Sequence, residues 1–145
     1  MAKQIILLVE DNRDDEELTL MAFERSGVNS RVEVVRDGAE ALDYLFATGT
    51  HANRDISEKP SVILLDLKLP KISGLEVLRR LRSDAQTRLL PIVILTTSKD
   101  DRDIINSYQL GCNSYVRKPV DFTQFLEAAQ QLGVYWLSLN EAIPN

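Results

Sequence analysis

Residues 62–82 read VILLDLKLPKISGLEVLRRLR, a pattern that predicts a strand, a turn and a helix. Residues 62–65 are apolar without alternation, which is typical of a strand covered on both faces of a parallel sheet. From Leu75 to Leu81 an apolar leucine recurs at every third position, and Ser73 stands where a helix N-cap is expected. The turn between strand and helix therefore carries Asp66 at the carboxyl end of the strand.

The alternation of strand and helix continues on both sides of this unit. Apolar, β-branched runs predict five strands, at residues 5–9, 32–35, 62–65, 92–95 and 115–116. Segments with helical spacing follow them, at residues 18–22, 41–46, 75–81, 104–108 and 122–132. Repeated strand–helix units predict right-handed crossovers and an α/β fold, a parallel sheet with helices on both faces. We expect each apolar stripe to face the core and the alternating second strand to lie at an edge.

Composition and charge limit the class of protein. The chain has 145 residues, of which 44% are hydrophobic and 27% charged, as in globular proteins with an apolar core. Its net charge of -5 disfavours nucleic acid as the main ligand. The apolar run at residues 5–9 is too short for a signal peptide or a membrane span. Cys112 is the only cysteine, which excludes an intramolecular disulfide and favours a reducing compartment, so we expect a cytoplasmic protein.

Polar residues at the ends of the predicted strands form a second pattern. Ligands of open α/β sheets bind beyond the carboxyl ends of the strands. The sequence places five functional side chains there: Glu10, Asp11, Asp66, Thr96 and Lys118. Carboxylate oxygens are ligands that Mg²⁺ prefers, and a carboxylate can attack phosphorus to form an acyl phosphate. We therefore expect Mg²⁺ beside the three carboxylates, Asp66 as the nucleophile, and Lys118 and the Thr96 hydroxyl against the phosphoryl oxygens.

The same residues resemble the receiver domain of bacterial response regulators. The resemblance rests on residues 9–12 (VEDN), on the Asp-x-x-x-Pro-x-x-x-Gly pattern of residues 66–74, on residues 95–98 (LTTS) and on residues 115–119 (YVRKP). These motifs occur in the family's order and span nearly the whole chain. The resemblance implies a sheet of order 2-1-3-4-5, as in the chemotaxis response regulator, and a histidine kinase that phosphorylates Asp66.

The resemblance also implies roles for individual residues around the phosphoacceptor. Mg²⁺ would be held by Glu10, Asp11, Asp66 and the main-chain carbonyl of Lys68. The acidic pair departs from the two aspartates that are common in the family. Lys68, two residues after the phosphoacceptor, lies at a position that tunes how fast water removes the phosphoryl group.

A second set of implied roles concerns the conformational switch. Phosphorylation would draw Thr96 inward and reorient Tyr115, which remodels the face made by the fourth helix, the fifth strand and the fifth helix. Ser98, two residues after Thr96, is the other position that tunes phosphoryl lifetime. The Lys118–Pro119 bond is expected to be cis, as is frequent in the family.

An enlarged loop and the C-terminal sequence narrow the resemblance. The loop at residues 48–60 and the ending at residues 135–141 (YWLSLNE) are similar to stand-alone receivers paired with cyanobacterial phytochrome-type histidine kinases. We expect residues 1–145 to form a single receiver domain with a short tail at residues 139–145, which signals to an unknown downstream protein. A homodimer through the fourth helix, fifth strand and fifth helix is expected, with an exposed apolar patch at Tyr135 or Trp136.

Several polar residues are predicted to have no chemical role. Asp14, Asp15 and Glu16 would occupy the first turn of a helix capped by Asn12, where acidic side chains complement the helix dipole. His51, the only histidine, lies in the enlarged loop without expected partners, which disfavours it as a base or metal ligand. Cys112 is expected to be a small buried filler.

Other functions compete with a phosphorylated receiver, which is not expected to be an enzyme that turns over a separate metabolite. A phosphorylation-independent adaptor would have the same fold. A Mg²⁺-dependent phosphatase with an aspartyl nucleophile usually has a second aspartate two residues after the first, where this chain has Lys68. A flavin or nucleotide carrier needs a glycine-rich phosphate loop after the first strand, where this chain has Glu10 and Asp11.

Overall fold

The computed structural model describes residues 4–144, which contain a parallel sheet of five strands. The strands are β1 (Gln4–Val9), β2 (Ser30–Val35), β3 (Val62–Leu65), β4 (Ile92–Thr96) and β5 (Ser114–Arg117). The helices are α1 (Arg13–Ser26), α2 (Gly38–Phe46), α3 (Gly74–Ser83), α4 (Asp101–Gln109) and α5 (Phe122–Val134). The strands are ordered β2-β1-β3-β4-β5, which confirms the predicted fold and the edge position of β2.

Alternate side chains of the central strands enter two separate apolar layers. Leu7, Ile63 and Ile94 pack with residues of α2 and α3 on one face of the sheet. Ile6 and Leu64 point to the other face and pack with residues of α1 and of the C-terminal helical segment. Because successive side chains of a strand point to opposite faces, unbroken apolar runs bury both faces of the sheet at once.

Short polar residues determine where the helices begin. The side chains of Asn12 and Ser73 accept hydrogen bonds from main-chain N–H groups three residues later, at 3.0 and 3.2 Å. Asp121 caps α5 in the same way. These caps satisfy N–H groups that would otherwise have no helical partner. Gly27 ends α1 with a φ of 74°, a left-handed conformation that glycine adopts without a steric penalty.

The apolar stripes predicted for the last two helices are only partly buried. On α4, Ile105 is 54% exposed and Tyr108 is 51% exposed, and Ser107 is the buried residue of that helix. Phe122, at the start of α5, is 55% exposed. The prediction that these side chains face the core is wrong. For Ile105 and Tyr108 the reason is that α4 packs beside the edge strand β5, where the sheet ends.

The enlarged loop between α2 and β3 is held against α2. It contains a short 3-10 helix at Gly49–His51. The Arg54 guanidinium lies 4.1 Å from the centroid of the Tyr44 ring and donates a hydrogen bond to the Tyr44 carbonyl at 2.7 Å. His51, for which no partner was expected, has its Nε2 atom 3.2 Å from a carboxylate oxygen of Glu40.

The C-terminal segment continues α5 as a short π-helix at Tyr135–Leu139. Tyr135 is 48% exposed, as predicted for an apolar surface patch, whereas Trp136 packs partly against the core. The predicted tail is described as far as residue 144. Among residues 4–144, no helix is long and apolar enough to cross a membrane.

Candidate functional site

The parallel register brings the polar ends of the strands to one edge of the sheet. Val9 of β1 pairs with Leu65 of β3, so that Glu10 and Asp66 follow their strands at the same level. At the other side of the sheet the Lys118 N–H donates to the Thr96 carbonyl at 2.6 Å, which extends the pairing of β4 with β5 by one residue. Residues far apart in sequence therefore converge at the carboxyl edge.

Lys118 is the centre of this cluster. Its Nζ atom lies 2.6 Å from Glu10 Oε1, 2.8 Å from Asp15 Oδ2 and 2.9 Å from Asp66 Oδ2. The Lys118 side chain is only 3% exposed. Since an ammonium group has three N–H donors, all of them are directed at carboxylates. Such charge-assisted bonds compensate for the loss of water around a buried cation.

The electrostatics of the cluster follow from one ammonium among several carboxylates. Burial raises the pKa of Glu10 to about 7, although Lys118 acts in the opposite direction. Burial alone would lower the pKa of Lys118, but Asp66 and the hydrogen-bonded carboxylates raise it above its usual value. The carboxylates around it therefore favour the charged form of Lys118, whereas burial favours the protonated form of Glu10.

Three of the carboxylates could share a metal ion. One oxygen each of Glu10, Asp11 and Asp66 lie within 4.8 Å of one another. Glu10 and Asp66 are buried, whereas Asp11 is exposed, so the group opens to solvent on one side. An all-oxygen set with an open side suits Mg²⁺, which binds one or two carboxylates and keeps several water molecules or phosphate oxygens.

The turn after Asp66 is shaped by the Asp-x-x-x-Pro-x-x-x-Gly pattern. The Lys68 N–H lies 3.3 Å from Asp66 Oδ1, the oxygen that Lys118 leaves free. The turn closes where the Gly74 N–H donates to the Leu67 carbonyl at 2.8 Å. A side chain at Gly74 would collide with the backbone of Asp66 and Leu67. The glycine of the motif is therefore required by close packing beneath Asp66.

The residues predicted to form the switch are linked through the β4–α4 loop. Thr96 is fully buried, and its Oγ1 atom lies 3.3 Å from the Ser98 N–H. The Tyr115 hydroxyl donates to the Ser98 carbonyl at 2.9 Å. The Ser98 hydroxyl in turn donates to Asp103 of α4 at 2.6 Å. Ser98 thus connects Thr96, the β5 side chain Tyr115 and the first turn of α4.

The structure brings together most of the residues that the sequence singled out and adds one. Asp15, expected only to complement the helix dipole, is a direct partner of Lys118. One feature of the sequence could have indicated this contact. α1 begins two residues after Asp11, so its first turn, which includes Asp15, lies at the same edge of the sheet. The expected cis bond before Pro119 is wrong, since no peptide bond within residues 4–144 is cis.

Comparison with known proteins identifies the family. The model of the response regulator receiver domain matches residues 6–130, and the chain belongs to this family. Receivers are the components of two-component signalling that histidine kinases phosphorylate, and they are not enzymes in the usual sense.

The chain is similar to known regulatory proteins. The probable methanogenesis regulatory protein FilR2 of Methanothrix harundinacea is 41% identical over 138 residues, which cover 95% of this chain and 86% of FilR2. Response regulator Rcp1 of Synechocystis sp. is 35% identical over 134 residues, 92% of this chain and 89% of Rcp1.

Two solved structures share the whole fold. The phosphorylated cyanobacterial phytochrome response regulator RcpA is 39% identical with a TM-score of 0.92, and the alignment covers 99% of this chain and 100% of RcpA. The Mn²⁺-bound form of Rcp1 is 33% identical with a TM-score of 0.91, and the alignment covers 97% of this chain and 99% of Rcp1. This protein is therefore a response regulator similar to those of the phytochromes.

Proposed function

We propose that this protein accepts a phosphoryl group on Asp66 from a histidine kinase. The observation that carries the proposal is the position of the Asp66 carboxylate, 2.9 Å from the Lys118 ammonium and within the reach of two further carboxylates. In the transfer, an oxygen of Asp66 forms a bond to phosphorus while the bond from phosphorus to the histidine nitrogen of the kinase breaks. The kinase histidine keeps the electron pair of the broken bond.

We propose Mg²⁺ as the cation of this site. Its ligands would be Glu10, Asp11, Asp66 and the main-chain carbonyl of Lys68. When bound, the ion neutralises charge on the phosphoryl oxygens during in-line transfer. The relative Rcp1 has been solved in a Mn²⁺-bound form, which supports the proposal that the present protein also binds a divalent cation.

Lys118 and Thr96 are proposed to bind the phosphoryl group after transfer. The Lys118 ammonium would exchange one of its carboxylate partners for a phosphoryl oxygen, which needs only a small movement because Asp66 is already in contact. The Thr96 hydroxyl would donate to another oxygen and release the Ser98 N–H that lies beside it. Through Ser98 this change would reach Tyr115, as in the predicted switch. The side chains of Lys68 and Ser98 would set phosphoryl lifetime by controlling the approach of water.

The partners of the protein follow from the same proposal. The phosphoryl donor would be a phytochrome-type histidine kinase, a proposal supported by the likeness to RcpA and Rcp1. The exposed side chains of Ile105 and Tyr108 favour a homodimer through α4, β5 and α5. The same face would carry the signal to a downstream protein.

Intact-protein mass spectrometry tests the phosphorylation step. After incubation with acetyl phosphate and Mg²⁺, the wild-type protein should gain one phosphoryl group, and samples without a divalent cation should not. Asp66→Asn should stay folded and gain nothing, because Glu10 and Asp15 still hold Lys118. Asp14→Asn, a change of the same kind on an exposed helix position, should behave as the wild type.

Two results would overturn the proposal. Label on an aspartate of Asp66→Asn would show that another residue is the phosphoacceptor. No gain of mass by folded wild-type protein, with acetyl phosphate and with a phytochrome-type kinase, would leave the fold as that of a phosphorylation-independent adaptor.

A further inference from the structure

Asp15 has a different relation to the site from the other two partners of Lys118. Its Oδ2 atom lies 2.8 Å from Lys118 Nζ, as close as the contacts from Glu10 and Asp66. Glu10 and Asp66 also belong to the carboxylate group that suits a metal ion, whereas Asp15 lies outside it. Asp15 is therefore the one partner of Lys118 that the proposed cation does not share.

This difference affects the position of Lys118 when a divalent cation occupies the carboxylate group. A divalent cation at this group would attract the carboxylates of Glu10 and Asp66, which now accept hydrogen bonds from Lys118, and would repel the ammonium. A lysine side chain has four flexible methylene groups, so its ammonium group moves easily when carboxylates no longer accept its hydrogen bonds. Asp15, which α1 carries and which is not in the carboxylate group, would stay available to the Lys118 ammonium.

Two hydrogen bonds of the Asp15 main chain hold the residue in place at the start of α1. Its main-chain N–H donates to the cap residue Asn12 at 3.0 Å, and its carbonyl accepts from the Thr19 hydroxyl at 2.7 Å. The Asn12 N–H donates to Glu10 Oε2 at 3.1 Å, so the cap also connects to the acidic pair. Asp15 and Glu10 are therefore both joined by hydrogen bonds to Asn12, the cap residue of α1.

We propose that Asp15 is a positioning residue that keeps the Lys118 ammonium directed at Asp66 while the metal site is occupied. This inference rests on the proposed phosphorylation of Asp66 and adds a role for a residue of α1. The Asp15 carboxylate contacts Lys118 and lies outside the carboxylate group, so it would act through Lys118.

The first test measures Lys118 directly. In protein with ¹⁵N-labelled lysine and saturating Mg²⁺, the buried Lys118 ammonium should give a slowly exchanging resonance. We assign it as the signal that is absent from Lys118→Ala. In Asp15→Asn the hydrogen exchange of this group should be about tenfold faster. Asp14→Asn removes the same charge from the same helical turn without contacting Lys118, and its ammonium signal should equal that of the wild type.

The second test measures phosphorylation by acetyl phosphate. Asp15→Asn should be phosphorylated roughly tenfold more slowly than wild type, because the ammonium is less often in place. In a Lys118→Ala background, Asp15→Asn should not slow phosphorylation further, because the lysine through which Asp15 acts is absent. Equal rates for Asp15→Asn and Asp14→Asn, or an additive loss in the double variant, would overturn the inference.

The outcomes separate this inference from the proposed function. If wild-type protein is not phosphorylated, the assignment of Asp66 fails, while the ammonium exchange still reports on Asp15. If wild type is phosphorylated and Lys118 exchange is the same with and without the Asp15 carboxylate, only the positioning role is wrong.

Discussion

A Cβ atom on Gly74 would collide with the carbonyl oxygen of Asp66. The first residue of α3 therefore touches the backbone that carries the proposed phosphoacceptor. The Gly74 N–H also donates to the Leu67 carbonyl, so a hydrogen bond joins the start of the helix to the loop. The position of the Asp66 carboxylate depends on this close packing.

Gly74→Ala should destabilise the protein by about 2–4 kcal/mol and slow phosphorylation of Asp66. The new methyl group must push the loop backbone away, since no flexible side-chain end can yield. Urea unfolding and acetyl phosphate labelling measure the two effects. Gly27→Ala is the matched control: its added Cβ meets nothing within 4 Å, so only the left-handed φ costs about 1 kcal/mol and labelling stays normal. Similar losses in both variants would contradict the packing argument.

Lys118→Ala should destabilise the metal-free protein by about 3–5 kcal/mol at pH 8, because it leaves buried carboxylates without a cation. The loss should be smaller at pH 5.5. Glu10 has a pKa raised from 4.5 to about 7, and it rises further without Lys118. Between pH 4.5 and this raised pKa, the folded state binds more protons than the unfolded state, so stability falls as the pH rises. Because the pKa of Glu10 is higher in the variant, the variant loses more stability than the wild type on going from pH 5.5 to pH 8.

Denaturant unfolding of both proteins at the two pH values measures this difference. Exposed Lys99→Ala is the control and should change stability little at either pH. A loss for Lys118→Ala that does not depend on pH would show that Glu10 does not take up the proton.

Arg82→Ala should destabilise the protein by about 2–3 kcal/mol, more than an ordinary surface arginine. The guanidinium donates to the carbonyls of Gly111 and Leu90 at 2.7 Å each, and thereby connects α3 to the loops that precede β5 and β4. Arg80→Ala, in the same helix but exposed and paired only with Glu76, should cost less than about 1 kcal/mol. Thermal unfolding compares the two, and equal losses would argue against the role of Arg82 as a connector.

Tyr115→Phe should loosen the β4–α4 loop without changing how fast Asp66 is phosphorylated. The variant loses the hydrogen bond to the Ser98 carbonyl, worth about 0.5–1.5 kcal/mol. Hydrogen–deuterium exchange should become faster in residues 97–101 and stay the same elsewhere. Tyr108→Phe, whose ring is exposed on α4, is the control and should leave the exchange of this loop unchanged. Unchanged exchange in Tyr115→Phe would mean that Tyr115 does not hold the loop.

Ile105→Asp should weaken self-association of the protein if α4 forms the contact between two copies. The substitution places a charge within an exposed apolar surface that dimerisation would bury. Light scattering at high concentration, with and without phosphorylation, measures the mass. Ile56→Asp, in the enlarged loop, is the control and should keep the dimer. A monomeric wild type under all conditions would refute the proposed homodimer.

The sequence predicted the fold through features that are local. Continuous apolar runs such as residues 62–65 need apolar cover on both faces, and only a parallel sheet between helices supplies it. Caps such as Ser73 depend on hydrogen bonds across three residues and are readable in the same way. The carboxyl-edge rule then placed Glu10, Asp66 and Lys118 together, because it follows from strand direction alone.

The burial of α4 and the role of Asp15 depend on tertiary contacts. An apolar pair such as Ile105 and Tyr108 has the same spacing whether it faces a core or a partner, and the edge position of β5 decides which. Asp15 reads as one more acid in a helix's first turn until the packing of α1 brings it 2.8 Å from a lysine 103 residues away.

The sequence by itself thus determined the α/β fold, the strand ends at which the site lies and the family of the protein. Tertiary structure alone decided which carboxylates share Lys118, why no side chain is allowed at Gly74, and which apolar residues stay exposed. The physical reason is range. Periodicity and capping act over three or four residues, whereas hydrogen-bond partners and steric limits at the site depend on atoms that meet only when distant segments pack.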